Sequence, residues 1–355
     1  MNARERLQRI FEGELVDRVP FALKGWRIGQ CEDERRLRNE GMHILDARSV
    51  YSVSTPKVAT ETHGFSRDGI WYQQTVVKTP LRELSSLTRQ AGGTTWRIER
   101  LFKGPEDYPA LRYLANDRRY QASYEGYLRA EAEVGAEAYF KTGAPGCALH
   151  EIIYELMGID AFAVEWAERR DEVLALEQAM AANERQAFEI VAQSPARLVQ
   201  CGGNYSPAVY GKARFAAHIL PHWEEACAVL HRGGKLVGCH LDADNRLWAE
   251  EVGASPLDWI EAFTPAPDTD MTMAEVRQAW PGKVQFINFP SSVHLASAEV
   301  IAATTRQLLR ESAPGDRFVI GITETVPEHR WRESFSTILR TVNECGRLPI
   351  DPSTL

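Results

Sequence analysis

Residues 233–245 read GGKLVGCHLDADN, and this stretch decides the fold class. The two glycines end a helical segment of roughly residues 211–232, since glycine is favoured where a helix stops. KLVGCH (235–240) has the short, apolar character of a buried strand. That strand ends in His240, Asp242 follows directly, and another amphipathic helical segment begins. A buried strand between two helices, with polar residues at its carboxyl end, is typical of a parallel sheet in an α/β protein.

The alternation of strand and helix continues through most of the chain. Seven segments have the apolar pattern and length of strands, namely 18–26, 137–143, 197–204, 235–240, 258–263, 283–289 and 317–324. An eighth strand is expected within residues 47–60. Strands that alternate with helices predict parallel pairing with right-handed crossovers, and therefore a (β/α)8 TIM barrel in a single domain, residues 1–355. The alternative is an open doubly wound sheet, but no GxGxxG follows the first strand.

Residues 27–100 interrupt this pattern. Two β-rich segments, 71–77 and 94–102, are joined by TPLRELSSLTRQAGG. They predict a hairpin-like insertion near the amino end of the barrel domain. After it, residues 107–135 are expected to be helical.

The composition limits the classes of function. The 355 residues carry a formal net charge of −8, and no basic tract interrupts the interleaved charges, which argues against a nucleic-acid surface. No apolar run approaches the roughly 18 residues of a membrane span, and the amino end lacks the apolar region of a signal peptide. Six scattered cysteines without a CxxC pair suggest reduced thiols. We therefore expect a cytoplasmic protein.

Polar residues collect where the predicted strands end, which is where barrel enzymes carry their chemistry. His240 and Asp242 fall on one side of an extended chain because side chains alternate with period two. Glu324, at the end of the last strand, can supply a third ligand. One histidine and two carboxylates suit zinc or another divalent metal with an open position. The alternative is that His240 contacts substrate while Asp244 caps the next helix.

Other residues near the strand ends are candidates for substrate contacts. Two asparagines can orient a substrate, aromatic rings can shape an apolar pocket, and an arginine at the start of the last helix can bind an anion. These candidates are Asn204, Asn288, Tyr205, Trp26, Phe263 and Arg330. His294 can also reach the barrel mouth, although a core role is the alternative. Cys201 and Cys239 are expected to be buried structural cysteines.

Several motifs, taken in order, resemble one known superfamily. ARERLQRIFEGELVDRVPF leads from a helix into the first strand, TPLREL follows at 79–84, and GITETVPEHRW (321–331) leads into a last helix ending in CGRLPI. With the central segment from NYSPAVYGK to HLDADN, this order resembles the uroporphyrinogen decarboxylase-like superfamily, which includes cobalamin-linked methyltransferases. The resemblance spans nearly the whole chain and implies a distorted (β/α)8 barrel.

The resemblance favours the methyltransferase branch of that superfamily. True decarboxylases carry an arginine-rich RQAGRY loop, whereas LKGWRIGQ (23–30) has only Arg27. The methyltransferases hold zinc with a His-x-Cys and a second Cys, and His240, Asp242 and Glu324 stand at those positions here. The resemblance thus implies an O- or N-demethylase that passes a methyl group from a small donor, such as an aromatic methyl ether, to a corrinoid (cobalamin) carried by a partner protein. A homodimer is expected by the same analogy.

Two other functions remain open from the sequence. A carboxy-lyase acting on a small carboxylate or a tetrapyrrole-like substrate would need a cationic pocket, for which Arg27, Lys141 and Arg330 are candidates. A non-catalytic binding barrel is the third possibility, but it has no need of polar residues at so many strand ends.

Overall fold

The chain is described by a computed structural model that covers residues 1–92 and 94–355, with the backbone but not the side chain of Trp26. It divides into two compact units. The first comprises residues 1–50, 123–144 and 191–355, and the second comprises residues 51–122 and 145–190. Within the described ranges, no helix combines the length and apolar character needed to cross a membrane.

The strands are numbered along the chain. They are β1 (Phe21–Leu23), β2 (Met42–Ala47), β3 (Tyr51–Ser54), β4 (Ala59–Arg67), β5 (Ile70–Lys78), β6 (Glu83–Ala91), β7 (Thr94–Glu99), β8 (Arg119–Ala122), β9 (Ala138–Ala144), β10 (Leu198–Gly203), β11 (Leu236–His240), β12 (Trp259–Glu261), β13 (Val284–Asn288) and β14 (Phe318–Ile322).

The α-helices are numbered in the same way. They are α1 (Ala3–Phe11), α2 (Glu32–Asn39), α3 (Tyr108–Asp117), α4 (Glu125–Val134), α5 (Ala148–Glu151), α6 (Ile159–Glu168), α7 (Arg170–Ala192), α8 (Pro207–Arg214), α9 (Leu220–Arg232), α10 (Ala249–Ala254), α11 (Met273–Ala279), α12 (Ala298–Ser312) and α13 (Trp331–Cys345). Short 3-10 turns include Gly25–Arg27, Arg246–Trp248 and Ser291–Leu295.

Eight parallel strands of the first unit close into a barrel in the order β1-β14-β13-β12-β11-β10-β9-β2, and β2 pairs with β1 to complete the ring. The predicted (β/α)8 barrel is therefore confirmed. The eighth strand is β2, which lies just before the expected window of 47–60. That window instead contains β3, which pairs with β8 outside the barrel, so its assignment to the barrel was wrong.

The amino end of the barrel is filled by α1. Leu7, Ile10 and Phe11 are buried in one cluster with side chains from the barrel strands. The ring of Phe11 stands edge-on to Trp259, with 5.3 Å between ring centroids, and to Phe286, at 6.4 Å. Because this apolar packing fills the amino end, polar groups collect at the carboxyl end, where barrel enzymes bind their substrates.

The second unit contains two antiparallel sheets. The strands β4, β5, β6 and β7 form one of them in sequence order, and β3 pairs with β8 in the other. The predicted insertion is confirmed as antiparallel, but it is larger than one hairpin because the segment expected to join the two strands itself contains β6. The expected helix over 107–135 is likewise interrupted by β8, between α3 and α4.

Candidate active site

A cavity of about 570 Å³ lies at the carboxyl ends of the barrel strands. Its lining residues come from the ends of β1, β10, β11, β12, β13 and β14 and the loops that follow them. They are Lys24, Arg27, Gln200, Asn204, His240, Asp242, Thr264, Asp268, Thr269, Asn288, Ser291, Thr323 and Glu324. The volume falls within the roughly 300–1,000 Å³ that is usual for small-molecule sites.

His240 lies between two carboxylates. Its Nδ1 is 2.8 Å from Glu261 Oε2, and its Nε2 is 3.3 Å from Asp242 Oδ2. Burial lowers the pKa of an imidazole, but hydrogen bonds to Asp242 and Glu261 outweigh it, so the pKa of His240 is raised above its ordinary value of 6.5. Each ring nitrogen of His240 therefore faces a carboxylate in the cavity wall, an arrangement that favours the protonated imidazole.

Glu261 orients His240 from beneath the cavity. This carboxylate is 0% exposed, and its Oε1 contacts Lys141 Nζ and lies 3.5 Å from Lys24 Nζ. Although burial raises a carboxyl pKa, these two cations and the His240 hydrogen bond keep the pKa of Glu261 well below its usual range. Burial lowers the pKa of Lys141 to about 8 in spite of the Glu261 charge. The buried charges thus compensate one another.

Glycines bring the strands that carry these groups close together. A β-carbon at Gly203 would lie 2.4 Å from the Cβ of His240, so only glycine fits there. Beyond it, the amide of Asn204 donates to the His240 carbonyl at 2.9 Å. Gly238 leaves room for the Trp259 ring in the same way. Gly203 thus brings β10 close to β11, and Gly238 brings β11 close to β12. In the pairing of β11 with β12, His240 lies opposite Glu261.

A second carboxylate, Glu324, lies in another part of the cavity wall. Its Oε1 accepts hydrogen bonds from Asn288 Nδ2, at 2.9 Å, and from the Ser291 hydroxyl. Asn288 Oδ1 in turn accepts from the amide of Thr323 at 2.9 Å. Arg27 Nη1 donates to the Thr325 hydroxyl at 2.9 Å. Burial lowers the pKa of this arginine, and the charge of Glu324 opposes that shift.

Five of the residues expected from the sequence line the cavity together. They are His240, Asp242, Glu324, Asn204 and Asn288. The Trp26 side chain lies outside the described part of the structure.

Three further expected residues are placed away from the cavity lining. Tyr205 is fully buried against the rings of Tyr210 and Trp223, and Phe263 packs edge-on to Trp280. Arg330 instead donates to the backbone carbonyls of two earlier residues and pairs with an acidic residue of α13. Tyr205, Phe263 and Arg330 are therefore not among the described residues that line the cavity.

Other sequence expectations have clear outcomes. Cys201 and Cys239 are buried cysteines, as expected. His294 is also buried, and its Nδ1 lies 2.6 Å from the Ser334 hydroxyl, which supports the core alternative. Asp244 was wrongly expected to cap the next helix, because Asn245 occupies the capping position before Arg246–Trp248.

Whether a metal ion fits this site depends on which donor atoms are available to bind it. Both imidazole nitrogens of His240 are engaged by carboxylates, and Glu324 is held by Asn288 and Ser291. Across the ranges 1–92 and 94–355, no three His, Cys, Asp or Glu side chains converge as a metal site would require. As arranged, the described residues do not fit a metal ion, and zinc ligation by His240, Asp242 and Glu324 stays a prediction.

Sequence reasoning did not foresee the roles of Glu261 and Lys24. A signal was present, since Glu261 lies in the predicted strand 258–263, which directly follows that of His240. Consecutive barrel strands are neighbours, so the two side chains could have been placed together. Lys24 follows a strand of only three residues, which the sequence pattern did not delimit.

Comparisons with known proteins agree on the fold. A methyltransferase from Methanosarcina mazei superposes with a TM-score of 0.58 over 97% of this chain and 99% of that chain, at 9% sequence identity. PbGH5A, a glycoside hydrolase from Prevotella bryantii, reaches 0.44 over 97% and 98%, also at 9% identity, which is too weak to carry an argument. No protein-family model and no curated protein matches the chain. The methyltransferase likeness establishes the fold alone.

Proposed function

We propose that this chain is a methyltransferase in which His240 protonates the leaving group of a small methyl donor. The observation that carries the proposal is the position of the His240 imidazole between the carboxylates of Asp242 and Glu261 in the cavity wall, where both partners raise its pKa. A proton donor at this place is what a methyl ether or a methylamine requires, because alkoxide and amide anions are poor leaving groups. The resemblance to cobalamin-linked methyltransferases and the Methanosarcina fold likeness support the reaction class.

In the proposed reaction, the donor's oxygen or nitrogen loses the methyl group and gains a proton. The donor's carbon–oxygen or carbon–nitrogen bond breaks as a nucleophile takes the methyl group, and the leaving atom takes the Nε2 proton of His240. Glu261 keeps the Nδ1 proton in place and so fixes the tautomer that remains. Asp242, whose side chain is 41% exposed, connects Nε2 to solvent and returns a proton for the next turnover.

The acceptor and the cofactors belong to the proposal through the family resemblance. A corrinoid carried by a partner protein would supply a strong cobalt nucleophile for the methyl group. Zinc belongs to the same family resemblance, and the proton transfer from His240 does not use it. A homodimer stays an expectation by family analogy.

The carboxy-lyase alternative needs surplus positive charge that the cavity lining does not offer. Three basic side chains, Lys24, Arg27 and His240, are matched by three lining carboxylates. Lys141, proposed for the same role, is bound to Glu261. A cavity with balanced charge is poorly suited to holding several substrate carboxylates, so methyl transfer is the function that the geometry supports best.

The test follows methyl transfer from representative donors to free cob(I)alamin. Guaiacol, 3-O-methyl-D-glucose and trimethylamine are each incubated with the full chain under reducing, anaerobic conditions, and methylcobalamin formation is followed by absorbance. His240→Gln is expected to lower the rate at least about 100-fold, as for a lost general acid. His329→Gln, an exposed histidine outside the cavity lining, is the matched control and should retain the rate. Full activity in His240→Gln, or no transfer from any donor class, would contradict the proposal.

A further inference from the structure

The chemical class of the methyl donor can be argued from the lining of the same cavity, an argument that rests on the proposed function. Every described side chain in that lining is polar, and none of them is aliphatic or belongs to Phe, Tyr or Trp. The aromatic residues Tyr205 and Phe263, at the ends of β10 and β12, are fully buried behind it. A flat apolar ring would find no complementary surface among the described side chains, and would strip water from polar groups without replacing their hydrogen bonds.

The charged groups of the lining already have partners within the protein. Lys24 lies 3.5 Å from Glu261, and His240 lies between two carboxylates. Asp268 accepts hydrogen bonds from the amide and the hydroxyl of Ser292, at 3.0 and 2.5 Å. Because these charges are compensated, the cavity does not require an ion to complete it, and a charged ligand would have to compete with the existing pairs.

Several hydrogen-bond acceptors of the lining remain available to a ligand. The hydroxyls of Thr264 and Thr269 donate to backbone carbonyls. The Thr269 oxygen can therefore accept from a ligand, and the Thr264 oxygen, which already accepts a long 3.5 Å hydrogen bond from Asn288 Nδ2, has a second lone pair to offer. Carboxylate oxygens of Asp242, Asp268 and Glu324 add further acceptors to the lining. Asn204 is exposed at the cavity, and its side-chain amide makes no hydrogen bond to the described residues. A ligand that carries several hydroxyl donors matches this set, since each donor meets an acceptor.

We infer that the methyl donor is a small, uncharged, hydroxyl-rich molecule, such as the methyl ether of a polyol or sugar ring, bound through its hydroxyls to the threonine, carboxylate and Asn204 acceptors of the cavity. This inference replaces the aromatic methyl ether expected from the family resemblance. The inference also agrees with the proposed role of His240. One ligand oxygen carries the methyl group and receives the His240 proton, while the hydroxyls hold the ring in position.

Isothermal titration of the full chain tests the inference with matched methoxy compounds. 3-O-Methyl-D-glucose and guaiacol both carry a methoxy group beside a hydroxyl, but on a polyol ring and on an aromatic ring respectively. Methoxyacetate is the anionic probe. The sugar ether is expected to bind at least ten-fold more tightly than either. Equal or tighter binding of guaiacol or methoxyacetate, or no binding of the sugar ether at millimolar concentration, would overturn the inference.

Variants test whether binding uses the assigned acceptors. Thr264→Val removes one hydroxyl at nearly constant shape and should weaken the sugar ether by roughly ten-fold, the effect of one hydrogen bond. Thr304→Val on α12 is the matched control and should bind as the parent chain does. Asn204→Gly removes the amide while keeping a residue suited to its positive φ of 59°. Unchanged affinity in both Thr264→Val and Asn204→Gly would overturn the inference.

The outcomes separate this inference from the proposed function. If the sugar ether binds tightly but no methyl group passes to cob(I)alamin, the methyltransferase proposal is contradicted while the inferred ligand class is supported. If guaiacol instead binds and donates its methyl group, the methyltransferase proposal stands and the inferred ligand class is wrong.

Discussion

Glu261→Gln removes the carboxylate on which the buried charges beneath the cavity depend. Glu261 is 0% exposed, and Lys141 is 2% exposed. Without Glu261, Lys141 would keep its 2.5 Å hydrogen bond to neutral Gln200, its contact with the face of the Trp259 ring at 5.6 Å and the weaker attraction of Asp46. Breaking a buried ion pair by removing one partner typically costs about 3–5 kcal/mol. Because Gln200 and Asp46 still assist Lys141, we expect the lower value, about 3 kcal/mol at neutral pH.

The sign of the pH dependence follows from Lys141. Its pKa of about 8 in the folded chain lies below the ordinary 10.5, so the unfolded chain binds more protons between these values and stability rises with pH there. Without Glu261 this pKa falls further, because the charge that raised it is gone. The deficit of the variant should therefore be largest at low pH, should shrink as pH rises towards 8, and should stay constant above it, where the amine is neutral in both proteins.

Urea unfolding followed by circular dichroism measures this deficit. The free energies of unfolding of the parent chain, Glu261→Gln and the exposed control Glu224→Gln are compared near pH 7 and near pH 9.5. The control should match the parent chain at both. A deficit below about 1 kcal/mol for Glu261→Gln near pH 7, or one that grows with pH, would refute the account of the buried charges.

Three further results are expected. Gly203→Ala should destabilise the chain by about 1–3 kcal/mol in urea and slow methyl transfer, because its β-carbon would meet His240 at 2.4 Å, whereas Gly143→Ala, with open space around it, should change neither. The rate of methyl transfer should fall as pH rises through the raised pKa of His240, and Asp242→Asn should move that fall to lower pH because one of the carboxylates that raise this pKa is lost. Burial lowers the pKa of His294 to about 4, so it should reduce stability as pH falls from 6.5, by up to about 3 kcal/mol, and His294→Gln should unfold with less acid dependence.

The fold followed from the sequence because its signals are local. Apolar runs separated by helical periodicity, as in 233–245, identify parallel strands wherever they recur, and the polar residues after them mark the carboxyl ends. The exceptions were segments whose pairing is decided by distant residues. β2 and β3 are both short, and only their partners, β1 and β9 in one case and β8 in the other, show which belongs to the barrel.

The cavity was predictable in part for the same reason. His240, Asp242 and Glu324 were found because they end strands, but Glu261 acquires its role from the register of β11 against β12. Tyr205 and Phe263 were misplaced because the preceding residues, Asn204 and Ala262, have positive φ angles of 59° and 61°. Those conformations break the alternation of side chains on which the sequence argument relied.

The protonation state of His240 is the most direct test of the central claim, which is that two carboxylates hold this imidazole as a cation. Proton–nitrogen correlation spectra of the imidazole groups, assigned by comparison with His240→Gln, report the state of both ring nitrogens across a pH titration. We expect a pKa above 6.5 and protons on both Nδ1 and Nε2 at the lower end of that titration. A His240 that titrates below 6.5, or that is neutral throughout, would contradict the account.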